Sequence, residues 1–191
     1  AVHCVDQLGV VEACPLGQLL TESRDDGIAH RLKADIARAA GWLRQQPAAP
    51  VALFLLDPVL FAIWLLAIWQ AGRCAILPGD ATPATAQRLQ ARGALLIGDL
   101  PGTDQSGPVP EHAAIPLRTI AETEAVVEVF TSGSTGEPVS LVKSLRQLDA
   151  EVKVLEQVFG TGLRQDWKFH TTVSHQHLYG LLFCILWPLA R

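Results

Sequence analysis

Val51-Ala52-Leu53-Phe54-Leu55-Leu56 is a continuous apolar run closed by Asp57-Pro58, and it constrains the fold more than any other segment. A strand with one wet face alternates polar and apolar residues. A run that is apolar at every position must be buried on both faces, as strands of a parallel sheet are. Asp57 stands where a helix needs a cap, and Pro58 where the first helical residue has no use for an N–H. The next segment, Pro58 to Ala71, reads as a helix apolar nearly all round, through Leu60, Phe61, Ile63, Trp64, Leu65, Leu66, Ile68 and Trp69. A membrane span takes about 20 residues, so this shorter run is read as a buried helix.

The same alternation continues. Cys74–Gly79 reads as a strand, Pro83–Arg92 as an amphipathic helix and Ala94–Gly98 as a strand, while upstream Ile28–Gln46 carries one apolar helical face. A β-α-β-α-β order implies an α/β fold with parallel sheets flanked by helices. From Asp99 to Pro116 the chain is rich in proline, glycine and aspartate, as a linker or surface loop is. The expected organisation is a first α/β subdomain over 1–99, a linker or surface loop over 100–119, and a second βαβ-type unit over 120–191. In that second unit Ala125–Phe130, Ser140–Ser144 and Lys168–Val173 read as strands. Leu145–Phe159 and Leu178–Leu189 read as helices, the first with Leu148, Val152, Leu155, Val158 and Phe159 on one face.

The strand at Ala125–Phe130 runs into Thr131-Ser132-Gly133-Ser134-Thr135-Gly136-Glu137-Pro138. Gly133 and Gly136 let backbone approach a ligand closely, and Thr131, Ser132, Ser134 and Thr135 offer hydroxyl donors, a composition suited to phosphate oxygens. The segment lacks Gly-x-x-x-x-Gly-Lys, Gly-x-Gly-x-x-Gly and Gly-x-Ser-x-Gly. It closely resembles the phosphate loop of the adenylate-forming superfamily, the acyl-CoA synthetases, AMP-dependent ligases and peptide-synthetase adenylation domains. Their pattern is an aromatic residue followed by Thr-Ser-Gly-[Ser/Thr]-Thr-Gly-x-Pro-Lys. The match runs from Phe130 through Pro138; Val139 then replaces the lysine, and the nearest downstream cation is Lys143. Four residues of strand span about 13 Å, so Lys143 is expected to occupy a different position even if it substitutes for the missing charge.

A second cluster contains His170, His175, His177, Tyr179 and Gly180. His-x-His spacing can hold a metal, but no Cys, Asp or Glu lies close in sequence to complete a set. A histidine capping the following helix, or paired at the surface, is the simpler structural alternative. His177-Leu178-Tyr179-Gly180 also resembles the family's His-x-[Phe/Tyr]-Gly motif, in the order the family has it. The resemblance implies that Tyr179 and Gly180 line the carboxylate-substrate pocket. It places His177 beside the reacting carboxylate, and has Ser174, His175 and Gln176 shape the entrance. It implies that Thr131, Ser132, Gly133, Ser134, Thr135 and Gly136 bind the phosphates of ATP.

On that resemblance the chain is part of the large N-terminal domain of an AMP-forming acid–thiol ligase. Such an enzyme uses ATP and Mg2+ to make an acyl-adenylate, then transfers the acyl group to coenzyme A or to a carrier-protein phosphopantetheine. The family's Tyr-Gly-x-Thr-Glu segment, its ribose-binding aspartate and the lysine of its C-terminal domain do not occur in these 191 residues. The chain alone is therefore expected not to complete adenylation. Alternatives are a nucleotide- or acyl-binding module that has lost catalysis, or an unrelated kinase- or phosphatase-like site. The chain holds no methionine and ends just after an apolar segment, which reads as part of a larger protein.

Composition narrows the partners. A net charge of −4 with no basic run gives no electrostatic footprint for nucleic acid, leaving small molecules as the expected ligands. Cys4, Cys14, Cys74 and Cys184 lack Cys-x-x-Cys spacing and read as buried free thiols of a cytoplasmic protein. The apolar helix after Tyr179 favours a fatty or aromatic acid over a charged amino acid.

Overall fold

The structure is a computed structural model that describes residues 15–18, 27–132, 138–161 and 172–191. A five-stranded sheet, ordered β3-β1-β2-β4-β5, forms its centre. β1 (Val51–Phe54), β2 (Ala75–Leu77), β3 (Leu95–Gly98) and β4 (Ala125–Ser132) are parallel, and β5 (Pro138–Ser144) pairs antiparallel with β4. β5 departs from an all-parallel arrangement because only residues 133–137 separate it from β4. A connection that short closes a hairpin, whereas a parallel neighbour needs a crossover of a dozen residues or more. β4 follows the 100–119 stretch yet pairs with β2, so strands from both sides of that stretch share one sheet.

Alternate residues of β1, β2 and β3 face two separate cores. Val51, Leu53, Ala75, Leu77, Val127 and Val129 pack with α1 (Gly27–Gln45), α2 (Pro58–Gln70) and α4 (Leu145–Phe159). Ala52, Ile76 and Leu96 pack with Ala86 and Leu89 of α3 (Pro83–Ala91) on the other face. β1 lies between β3 and β2, which is why its sequence carries no polar face. α2 is buried from Phe61 to Gln70, because it shares one core with both α1 and the sheet. Its start is capped as the sequence predicts: Asp57 Oδ1 accepts from the backbone N–H of Val59 at 2.8 Å and Leu60 at 2.9 Å. Near its end, Trp69 Nε1 donates to the carbonyl of Val126 at 2.8 Å and so ties α2 to β4.

The 100–119 stretch lies against the body. Ile97 bridges Gln105, and Gly98 N donates to Gln105 O at 2.8 Å, covering the outer edge of β3. Further along, Ile115 N donates to Ala37 O of α1, and Gln70 exchanges two hydrogen bonds with the backbone of Arg118.

Charged residues are buried where a partner meets them. Glu128 on β4 is 8% exposed and receives Arg92 Nη2 on both carboxylate oxygens, at 3.1 and 3.0 Å. On α4, Val158 and Phe159 turn outward while Asp149 and Glu156 turn inward, a correction to the apolar face read from sequence. Partners explain the exchange: Asp149 accepts from Leu16 N and pairs with Lys153, and Glu156 accepts from Trp187 Nε1 at 2.7 Å and pairs with Arg191. Cys74 and Cys184 are free but only half-buried, another departure from expectation; Cys4 and Cys14 lie outside the described residues. Burial, then the Glu128 carboxylate, pushes the Cys74 thiol up.

Of the strand expected at Lys168–Val173, residues 168–171 lie outside the described set, and Thr172 and Val173 form a bend. The expected helix over Leu178–Leu189 is present as α5 (Leu178–Gly180), a π-helical segment (Leu181–Leu186) and α6 (Trp187–Ala190). Trp187 N reaches back five residues to Leu182 O, just ahead of Pro188, which has no N–H to continue the ordinary ladder.

Arg118 binds both oxygens of Glu124, at 2.8 and 2.9 Å, and holds that carboxyl below its usual range. An unfolded glutamate titrates near about 4.3. The lowered folded value means that the pair stabilises the protein above that pH, and the contribution is lost as pH falls through the folded value. Arg118→Leu is expected to flatten the acid limb of a plot of unfolding midpoint against pH between about pH 5 and 3; an unchanged limb would exclude this pair as the cause.

Candidate functional site

Parallel strands end on one edge of a sheet, and in open α/β sheets ligands bind outside those carboxyl ends. Here the register aligns Val51 with Ala75 and Ala75 with Val127, so Leu55 just past β1 lies level with Thr131 near the end of β4. Two strand spacings separate them, about 10 Å. Helices leave this edge toward opposite faces, α2 after β1 and α3 after β2.

At the end of β1, Phe54 O, Leu55 O and Leu56 N are all met by residues distant in sequence. Asp99, one residue beyond β3, accepts from Leu56 N at 2.8 Å, and Asp99 N donates to Phe54 O at 2.7 Å. His175 Nε2 lies 2.8 Å from Leu55 O, and Gln176 Nε2 donates to the same oxygen at 2.6 Å. His175 packs its ring against Phe61 with centroids 4.6 Å apart. The chain then turns on Ser174, whose hydroxyl accepts from Gln176 N and whose carbonyl accepts from His177 N. Gly180 closes against this turn; a Cβ there would lie 2.0 Å from Ser174 O. His177 occupies the cap position of α5, without a side-chain capping bond, and its side chain is exposed, as is Tyr179 at 72%.

The structure thus brings His175, His177, Tyr179 and Gly180 together at the carboxyl end of β1. His170 lies outside the described residues. Thr131 and Ser132 are the last residues of β4, and Ser132 pairs with Pro138 to close the hairpin. Gly133, Ser134, Thr135 and Gly136 lie outside the described residues, between those two strand ends. Lys143 is not brought to the hairpin tip. It pairs with Val127 in the register, at the opposite end of the hairpin, and its ammonium is bound to Glu151 of α4. The strand geometry that makes Ser132 and Pro138 neighbours carries Lys143 about 17 Å away from them.

Sequence reasoning missed Asp99 and gave Gln176 only a place at the entrance, although Gln176 is 3% exposed and is a principal anchor of the turn. The signal for Asp99 was its place after Gly98, whose positive φ of 102° ends β3 beside Phe54. Among the described residues no three His, Cys, Asp or Glu side chains cluster as metal ligands, and no helix is long and apolar enough to cross a membrane.

No protein-family model matches the chain. It is 34% identical over 131 residues to the uncharacterized acyl-CoA ligase YhfT of Bacillus subtilis strain 168, an alignment covering 58% of this chain and 27% of that protein. Its fold matches the ATP-bound crystal structure of MatB from Rhodopseudomonas palustris with a TM-score of 0.73 at 17% identity, covering 94% of this chain and 44% of MatB. It also matches the inhibitor-bound N-terminal domain of FACL13 from Mycobacterium tuberculosis, with a TM-score of 0.67 at 17% identity, covering 95% of this chain and 56% of that one. The chain spans about a quarter of the curated relative's length and under half of MatB's. In sequence over part of its length, and in fold over nearly all of it, the chain resembles the N-terminal part of the adenylate-forming acyl-CoA ligases.

Proposed function

We propose that this chain is the N-terminal part of an AMP-forming acid–thiol ligase, in which the hydroxyl-rich loop between β4 and β5 holds the triphosphate of ATP. The observation that carries the reading is that β4 ends, at Thr131 and Ser132, on the same sheet edge as the turn bearing His177 and Tyr179, level with Leu55. A carboxylate held near His177 and Tyr179 would attack the α-phosphate, forming the acyl-adenylate and expelling pyrophosphate. Thr131, Ser132, Ser134 and Thr135 would donate to phosphate oxygens, and Gly133 and Gly136 would let the backbone close on them.

Magnesium would be carried on the triphosphate, consistent with the hard oxygen donors that cation prefers. Coenzyme A or a carrier-protein phosphopantetheine would take the acyl group in a second step. The chain spans about a quarter of the acyl-CoA ligase it resembles, and on the ligase reading these 191 residues alone are expected to give no adenylate. The two free thiols among the described residues, Cys74 and Cys184, support a reducing, cytoplasmic setting.

The second reading, a binding module without catalysis, draws support from Val139 in the loop-lysine position and from Lys143, whose charge is bound to Glu151 far from the tip. Acid-dependent ATP–pyrophosphate exchange by the full-length protein, tested across aliphatic and aryl acids, separates the two. Exchange upholds the ligase; ATP binding without exchange for any acid upholds the module.

A further inference from the structure

We infer that His175 and Gln176 are positioning residues that lock the His177–Tyr179 turn onto the end of β1, and that this lock sets the affinity for the carboxylic acid. The inference rests on the ligase reading above for its kinetic part only. Leu55 O lies one residue beyond the last residue of β1, where sheet pairing has ended. Two side chains from more than a hundred residues away converge on it, His175 Nε2 at 2.8 Å and Gln176 Nε2 at 2.6 Å. A carbonyl oxygen only accepts, so the imidazole must carry its proton on Nε2 to make this bond. That assignment also settles the 3.3 Å approach of Gln176 Nε2 to His175 Nε2, which is a meeting of two donors on one acceptor.

The amide of Gln176 is used from one end. Its Nε2 anchors the turn, while its Oε1 is buried with no hydrogen-bond partner among the described residues. A buried acceptor left unpaired costs stability, so the retained feature is the donor. Phe61 stacks edge-on against His175 and fixes the ring, and Gly180 leaves no gap between the turn and the helix that follows. His177 and Tyr179 are thereby held outward at the sheet edge by contacts in which neither of their side chains takes part.

The test uses the full-length protein with His175→Ala, His175→Gln and Gln176→Glu. Glutamine at 175 restores an N–H near the Nε2 position, whereas glutamate at 176 keeps the shape and replaces the donor by an acceptor. The expected result is a rise of roughly tenfold in the apparent KM for the acid in His175→Ala and Gln176→Glu, with the KM for ATP within about twofold of wild type. His175→Gln should recover most of the loss. Amide hydrogen exchange at residues 176–181 should quicken in the same two variants and not in His175→Gln. An unchanged acid KM in Gln176→Glu, a parallel rise in both KM values, or no rescue by glutamine would overturn the inference. Should the wild-type protein show no exchange activity, the ligase reading fails by itself. Amide exchange then still decides the lock, faster exchange upholding it and unchanged exchange overturning it.

Discussion

Gly180→Ala is expected to dislodge the turn over residues 174–177 and to cut acid-dependent adenylation by the full-length protein about a hundredfold, the order of loss that a displacement near 1 Å can cause. Gly180 has ordinary helical dihedrals, φ −65° and ψ −38°, so alanine suits the backbone there and by propensity alone would stabilise the helix by about 1 kcal/mol. Space decides against it. The added Cβ would lie 2.0 Å from Ser174 O, 2.5 Å from Ser174 C and 2.9 Å from His175 Cα, all of them backbone or Cα atoms that no rotamer change can move aside. Overpacking of this kind costs about 1–3 kcal/mol. The turn must then shift away from Leu55 O, giving up the bonds of His175 and Gln176. Steady-state kinetics and a thermal melt check it together; a variant with wild-type stability and wild-type KM for the acid would refute the packing argument.

Trp69→Ala is expected to cost about 3–5 kcal/mol through the cavity it leaves, with about 1 kcal/mol more for the unpaired carbonyl of Val126. The indole is 1% exposed and lies in the main core, and its N–H is the bond that joins α2 to β4. A domain of this size holds roughly 5–15 kcal/mol in total, so the variant should melt on the order of 10–20 °C lower. Trp69→Phe keeps much of the packing and loses the donor, and should fall between alanine and wild type. Urea unfolding of the three proteins measures the series; a loss below about 2 kcal/mol for alanine would mean that the core closes over the gap.

Much of the architecture was legible because burial on two faces leaves a mark in sequence. Val51–Phe54 and Ala75–Leu77 are apolar without interruption, and Asp57-Pro58 carries both capping signals for α2. Ser144 and Gln147 form the capping box that opens α4 at the residue expected. What the periodicity misread is the inward face of α4. Asp149 and Glu156 look like solvent positions until Leu16 N and Trp187 Nε1 come to meet them from distant parts of the chain. Pairing across such separations leaves no local pattern.

The site divides along the same line. The motifs at Phe130–Pro138 and His177–Gly180 identify a family resemblance from short segments. Neither indicates that Leu55, Asp99 and Gln176 build the platform behind the His177 turn, because that platform is assembled by β1, β3 and the turn before α5. Lys143 illustrates the opposite limit. Linear distance already separated it from the loop, and the antiparallel register of the hairpin, together with Glu151, gives that separation its direction.

On the proposed function, the β4–β5 loop serves an enzyme that activates a carboxylate on the α-phosphate of ATP. Incubating the full-length protein with ATP and a carboxylic acid labelled with heavy oxygen in its carboxyl group, in the presence of the acceptor thiol, tests it by mass spectrometry. Attack on the α-phosphorus followed by acyl transfer leaves one labelled carboxyl oxygen in AMP and none in pyrophosphate. Label in AMP is the predicted result; ADP formation with label in inorganic phosphate, or nucleotide bound without turnover of any acid, would contradict it.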